Sequence, residues 1–165
     1  MAISDWKNEF NNASTRNSSE YMDVGNYLLR VDNVVSGNNR QGVENFKLEG
    51  TIIHKLDESG PQNVGQSVCA MYSKKSDYFH AEVKGLVQDI FGLGKDEVSF
   101  EHLEKIAAES QPLKGCVVEF IAYKKDPSKV FVSKFCRGMK SASETKAMLS
   151  EGEWAQYEDS LKYLG

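Results

Sequence analysis

The sequence has 165 residues and a formal net charge of −4, with 40% hydrophobic and 27% charged residues. These values are typical of one globular domain with its own core, and they exclude a globally disordered chain. No apolar run approaches the roughly 18 residues that a membrane span needs. The start, MAISDWKNEF, has neither the basic nor the apolar region of a signal peptide. We therefore expect a cytoplasmic protein without a membrane partner.

The first part of the chain predicts an arm followed by three strands. Residues 1–24 are rich in Asn and Ser and predict a flexible arm, with one turn of helix near Trp6. The segment NYLLRVDNVVSG predicts a strand that ends at Gly37, and NNRQG predicts a turn. Apolar and polar residues alternate in ENFKLEGTIIHKLD, which predicts a second strand with a bulge or sharp bend at Gly50. QSVCAMYS predicts a short third strand.

The pattern then changes to helical spacing before two more strands. SDYFHAEVKGLVQDIFGLG predicts a helix with Ser76 or Asp77 as N-cap and Gly92 as its stop. SFEHLEKIAAES predicts a second helix capped by Ser99, without a capping box because His102 stands where Glu is usual. LKGCVVEFIAYKK and KVFVSKFCRG predict a strand pair joined at DPS, and the remainder predicts two helical pieces broken near Gly152.

Three strands, a helical insert and a strand hairpin follow the order of the OB-fold, a five-stranded antiparallel Greek-key barrel. We therefore predict a mainly β fold of this kind over residues 25–140, with helices between strands three and four. The flexible arm, 1–24, precedes this domain, and an acidic helical tail, 141–165, follows it. Another small barrel with five strands and one helix is the alternative fold.

Residues that could carry catalysis or bind a metal are widely separated. The histidines His54, His80 and His102 lie in a predicted strand and two separate helices, without metal-ligand spacing. No phosphate loop or nucleophile motif is present in the sequence. The three cysteines fall in apolar, strand-like runs and are interpreted as buried thiols in a reducing compartment. We expect no enzyme activity, no metal and no cofactor.

Charge is distributed unevenly along the second half of the chain. Residues 113–140 carry seven Lys or Arg against two acids, whereas 141–165 carry two against five. Such an arrangement favours a polyanionic partner for the basic segment and an acidic tail that competes with this partner. The alternative for the charges is that both sets are solvated faces. The alternative for the tail is that Met148, Leu149, Trp154, Tyr157 and Leu161 pack it onto the domain.

The stretch AYKKDPSKVFVSKF interleaves lysines with aromatic rings. Single-stranded nucleic acid offers phosphates, which cations neutralise, and unpaired bases, on which rings stack. In OB-folds the ligand crosses strands two and three, between the loops that join strands one to two and four to five. The candidate binding residues on these segments are Arg40, Lys47, Tyr72, Lys74, Lys75, Tyr123, Lys124, Lys125, Lys129, Phe131, Lys134 and Arg137. The alternative is that the rings are core and the lysines keep an edge hairpin soluble.

A turn at DPS predicts that Phe120 lies opposite Phe135 and that Lys124 lies opposite Phe131. In this register Phe120 and Phe135 face the barrel interior. Tyr123 and Lys134 then face outward, so Tyr123 is the expected base-stacking residue. Phe131 near the tip is compatible with either side.

From GNYLLRVDNVVSG through NFKLEGTII, VGQSV, LKGCVVEFIAYKK and VFVSKFCRG, the chain resembles phage-encoded single-stranded DNA-binding proteins and related replication accessory proteins with an OB-fold. The resemblance covers residues 25–138. It implies protection of single strands during phage DNA replication or recombination, in the cytoplasm of the host, alongside phage replication or recombination proteins. A protein-binding adaptor or inhibitor on the same barrel is the second reading, and a structural virion component is the third. The sequence leaves oligomeric state and the choice between DNA and RNA open.

Overall fold

The computed structural model describes residues 3–7, 10 and 20–164, and six strands in this part of the chain form one mixed sheet. The strands are Glu20–Tyr21 (β1), Gly25–Asn38 (β2), Glu44–Lys55 (β3), Ser67–Ser73 (β4), Val117–Tyr123 (β5) and Ser133–Met139 (β6). Their order is β1-β4-β3-β2-β5-β6. The β1–β4 pair is parallel, and the other pairs are antiparallel.

Four helices follow or interrupt the strands of the described chain. They are Phe79–Phe91 (α1), Phe100–Ile106 (α2), Ala142–Met148 (α3) and Glu151–Tyr157 (α4). Short 3-10 turns span Ile3–Trp6 and Glu158–Ser160. The first turn confirms the helical turn predicted near Trp6, while most of the predicted arm, residues 1–2, 8–9 and 11–19, lies outside the described residues. No helix in the described part of the chain has the length and apolar character needed to cross a membrane.

One face of the sheet carries the main core, and α1 covers it. Alternate strand residues such as Leu29, Leu48, Ala70 and Phe120 are fully buried in it, as expected where one face of a strand is covered. The buried stripe of α1 joins the same cluster and consists of Val83, Leu86, Val87 and Ile90.

The irregularity predicted at Gly50 is found as a bulge in the neighbouring strand β2, opposite Gly50. Gly50 pairs with Val31 and Glu49 pairs with Asn33, so Asp32 is the extra residue of a bulge in β2. A Cβ at Gly50 would stand 2.8 Å from the Arg30 carbonyl oxygen, which is too close for any other residue. The bulge in β2 therefore lies opposite a position where only glycine fits without displacing the backbone.

The mainly β class with a helical insert is confirmed, and the five predicted strands are all present. The strand β1 was not predicted, because two residues within a polar run give no periodic signal. Its parallel pairing makes the sheet mixed rather than wholly antiparallel. In the described residues no strand ladder joins β4 to β6, so the sheet is open.

The predicted helix boundaries are largely correct. Gly92 ends α1 in the left-handed conformation, with φ of 65°, as a C-terminal glycine does. The N-cap of α1 is Tyr78 rather than Ser76 or Asp77. The prediction that α2 lacks a capping box was wrong, because the Ser99 N–H donates to Nδ1 of His102 at 3.1 Å. The imidazole nitrogen thus takes the place of a glutamate oxygen.

The C-terminal segment packs on the outer face of the sheet. Leu149 and Tyr157 are buried against Leu28, Ile53 and Val117, which belong to β2, β3 and β5. The partly buried Met148, Trp154 and Leu161 join them. Of the two alternatives for this segment, the structure shows the one in which it packs. The helical break falls at Leu149 and Ser150 rather than at Gly152.

Candidate functional site

A cleft of about 370 Å³ separates the β1–β4 edge of the sheet from the loop that joins β5 to β6. Tyr21 and Met71 line it from the sheet, and Val130 and Phe131 line it from the loop. The remaining lining residues are Met22, Asp23, Cys69, Lys124, Val132 and Lys134. Segments more than 100 residues apart in sequence therefore form one apolar and mainly cationic concavity.

Tyr21 is held in place through its backbone rather than its ring. The backbone N–H of Met22 donates to the Cys69 carbonyl at 2.9 Å, which continues the parallel pairing of β1 with β4. The buried Gln62 donates from Nε2 to the Tyr21 carbonyl at 3.0 Å and accepts from the Asp23 N–H at 2.9 Å. These bonds fix the main chain, while the Tyr21 side chain is 67% exposed.

The opposite wall of the cleft is built on a turn at Asp126. The carboxylate of Asp126 accepts from the Ser128 N–H at 3.0 Å and from its hydroxyl at 2.7 Å. The Ser128 hydroxyl bond is the main reason that the pKa of Asp126 is lowered. The Lys129 N–H closes the turn on the Asp126 carbonyl at 3.1 Å. The turn presents Phe131 with 66% of its surface exposed.

Lys134 forms the floor of the cleft between two rings. Its ammonium lies 5.2 Å from the centre of the Tyr72 ring and 5.6 Å from that of Phe131, within the range of cation–π attraction. Burial lowers the pKa of Lys134, against the opposing attraction of Glu82 and Cys69. Lys134 therefore carries a partly desolvated charge at the base of the cleft.

The predicted hairpin register was wrong by one residue. Phe135 pairs with Ile121 and Phe120 pairs with Cys136, so Phe120 and Phe135 lie on opposite faces. Phe120 is buried, as predicted, but Phe135 is 51% exposed instead of core. Lys134 correspondingly lies on the inner side, opposite the buried Ala122. A register shift of one residue moves every side chain of β6 to the opposite face of the sheet, because side chains alternate along a strand.

The connection between β5 and β6 explains the slip. It runs over residues 124–132 rather than over the three residues DPS. The turn at Asp126 forms as expected, but the strands have already separated where Lys124 and Phe131 were expected to pair. The outward position of Tyr123, which is 42% exposed, agrees with the prediction.

Of the twelve predicted binding residues, the structure brings Lys124, Phe131 and Lys134 together in the cleft. Lys125 and Lys129 are exposed on the same loop, outside the cleft lining. Tyr72 is 5% exposed and belongs to the core beneath the cleft, so direct base stacking on it conflicts with its burial.

The other predicted residues do not line the cleft. Lys47 is half-buried on β3 and pairs with Met71, next to the cleft. Arg40 lies exposed in the β2–β3 turn, and Lys75 lies exposed after β4. The other two cations have acidic neighbours: Lys74 contacts Glu44 at 2.7 Å, and Arg137 stands 4.0 Å from Glu119.

Sequence reasoning missed Tyr21, Met71 and Val130, and it missed Gln62 as the residue that holds Tyr21. The signal for β1 was the pair Tyr21 and Met22, two large apolar residues within a run of Asn, Ser and Asp. Met22 is 3% exposed. The other three had no signal, because their roles depend on which segments the fold brings together.

Within the described residues, no cluster of His, Cys, Asp or Glu has the geometry to hold a metal ion. The three cysteines are buried, as predicted. The cleft therefore offers rings, aliphatic surface and ammonium groups as its binding chemistry. No protein-family model and no curated protein matches this chain.

Proposed function

We propose that the protein binds single-stranded DNA without strong sequence preference. The observation that carries the proposal is the cleft in which Tyr21 and Phe131, 67% and 66% exposed, lie with Lys124 and Lys134. Covering an exposed ring with a flat partner is favourable, and unpaired bases are flat partners for such rings. Lysines beside the rings match the phosphates that accompany each base.

The same cleft chemistry favours single strands over duplex and gives no strong preference among base sequences. In a duplex the bases are stacked on each other and unavailable for stacking on Tyr21 or Phe131. Sequence recognition requires paired hydrogen-bond donors and acceptors that contact the base edges. Apolar side chains and ammonium groups do not provide such pairs. We therefore assign the binding free energy to stacking and charge.

We also infer that the sheet is an OB-type barrel that is open at one seam. Support comes from the strand order, the helical insert before β5 and the packing of α1 against β6. The seam lies between β4 and β6, where Lys134 of β6 reaches over Tyr72 of β4. The sequence resemblance adds the biological setting, which is phage DNA replication or recombination.

Titration of a labelled oligothymidylate, followed by fluorescence anisotropy, tests the proposal. We expect a site of roughly 4–16 nucleotides per protein and an affinity that falls steeply with salt. Duplex of the same length should bind more weakly. The absence of binding to every single-stranded homopolymer at about 50 mM salt would contradict the proposal.

Substitution in the cleft locates the binding site. Phe131→Ala should weaken the affinity for single strands by about 1–3 kcal/mol, or roughly 5- to 150-fold, because one stacking platform is lost. Tyr78→Ala is the matched control, since Tyr78 is 71% exposed but lies outside the cleft lining. Equal losses from both variants would place the binding site elsewhere.

A protein-binding adaptor is the second candidate function. Val130, which is 90% exposed beside Phe131, favours it, because an aliphatic side chain offers no stacking surface to a base. Competition by oligothymidylate separates the two functions. A homopolymer displaces DNA from the cleft, whereas it has little effect on a bound protein partner.

A further inference from the structure

An apolar groove of about 750 Å³ lies away from the cleft, between the end of the β2–β3 hairpin and helices α1 and α2. Its apolar lining includes Phe46, Phe79, Val83, Val87, Phe100 and Leu103. Phe100 is 71% exposed at its edge. A concavity of this volume with a mainly apolar lining falls within the size range of ligand-binding pockets.

The N-terminal segment of the same chain carries a matching apolar stripe. Ile3 and Phe10 are each 79% exposed, and Trp6 between them is 51% exposed. Positions i, i+3 and i+7 fall on one side of a helix, and Ile3–Trp6 is already a helical turn. This is the anchor pattern of a helix that lies in an apolar groove.

We propose that residues 3–10 dock into this groove of their own chain, with Ile3, Trp6 and Phe10 as anchors. The proposal stands independently of DNA binding. It joins an apolar groove to exposed apolar side chains of the N-terminal segment. Charged groups of both signs line the groove, including Lys84 and Glu104, and the segment carries Asp5 and Lys7.

Chain length permits this docking within one molecule. Ten peptide steps separate Phe10 from Glu20, and they span at most about 33 Å. Glu20 lies beside Val68 of β4, and Ser73, at the other end of β4, pairs with Asn45 at the groove. Five residues of strand cover only about 17 Å. A short tether also keeps the local concentration of the segment in the millimolar range, which favours docking in the same chain over docking in a second copy.

Tryptophan fluorescence of the full chain tests this proposal without DNA. The chain has two tryptophans, so Trp154→Phe leaves Trp6 as the only reporter. We expect blue-shifted emission of Trp6 and protection from acrylamide quenching. Phe100→Glu in the groove and Phe10→Ser in the segment should each shift the emission to the red and remove the protection.

Tyr78→Glu is the matched control, since Tyr78 is as exposed as Phe100, at 71%, but lies outside the groove lining. The proposal would be overturned if Trp6 emitted like a solvent-exposed tryptophan and if Phe100→Glu left this emission unchanged. Protection that appears only at concentrations where sedimentation velocity shows a dimer would also overturn it, because the occupant would then be a second copy. Protection in a monomer supports docking within one chain.

Discussion

At the scale of single residues, Phe120 and Phe135 illustrate how strongly the face of a strand decides the role of a ring. Phe120 is fully buried in the core, whereas Phe135 is 51% exposed on the opposite face. We expect Phe120→Ala to lower the free energy of unfolding by about 3–5 kcal/mol, because it leaves a cavity. Phe135→Ala should cost less than about 1 kcal/mol. Urea unfolding measures both, and similar losses would mean that Phe135 packs against the core.

Lys134 gives a prediction for the dependence of stability on pH. Burial lowers its pKa in the folded protein below the usual 10.5, so between the two pKa values the unfolded chain binds more protons. The free energy of unfolding therefore rises as the pH increases from the folded-state pKa of Lys134 toward 10.5. Below the folded-state pKa, the destabilisation caused by burying the Lys134 charge is fully present. Lys134→Met keeps a long aliphatic side chain beside the Tyr72 ring but removes the charge.

The measurement for Lys134 is the difference in unfolding free energy between the wild-type protein and Lys134→Met. The unfolding free energy of the wild-type protein should increase relative to that of the variant as the pH rises through the folded-state pKa of Lys134. Lys129→Met, at an exposed position of the connection between β5 and β6, is the matched control, because it removes one lysine charge that is not buried. A pH-dependent difference for Lys134→Met no larger than that of the control would mean that the Lys134 ammonium is solvated in solution.

At the scale of elements, β1 shows that two residues of strand can matter for both fold and site. Met22 follows β1 and is 3% exposed in the main core. Met22→Ala should therefore destabilise the protein by about 2–5 kcal/mol. Tyr21→Ala, at a position that is 67% exposed, should leave stability nearly unchanged and weaken single-strand binding. Circular dichroism melts and DNA titrations of the two variants separate these effects, and an unaffected melt of Met22→Ala would place the segment outside the core.

Long periodic elements were predictable from the sequence, whereas their pairing details were not. The alternation in β3 and the glycine stop of α1 are local patterns, and both are present in the structure. The register of β5 with β6 depends on where the strands separate, and the nine-residue connection carries no marker for that point beyond the turn at Asp126. The candidate site was found only in part for the same reason. Lys124, Phe131 and Lys134 lie close in sequence, in the segment AYKKDPSKVFVSKF. Tyr21 joins them only through the parallel pairing of β1 with β4.

At the scale of the whole molecule, the C-terminal segment is part of the fold. Leu149 and Tyr157 cover Leu28, Ile53 and Val117, and the Lys162 N–H donates to the Gly115 carbonyl at 2.9 Å. Each buried side chain of this size contributes about 1.5–3 kcal/mol of hydrophobic stabilisation. The C-terminal segment therefore stabilises the sheet and is not a separate appendage.

Deleting residues after Lys140 should lower the melting temperature or yield insoluble protein, because an apolar face of β2, β3 and β5 becomes exposed. Neutralising the exposed acids Glu151, Glu158 and Asp159 to their amides tests the shielding alternative without removing the packed residues. The segment packs on a face that shares no residue with the cleft, so this variant should change DNA affinity only slightly at low salt. Anisotropy titrations at low and moderate salt measure the change. A marked gain in affinity that disappears as salt rises would show that these acids compete with phosphate from a distance, even though the segment is docked elsewhere.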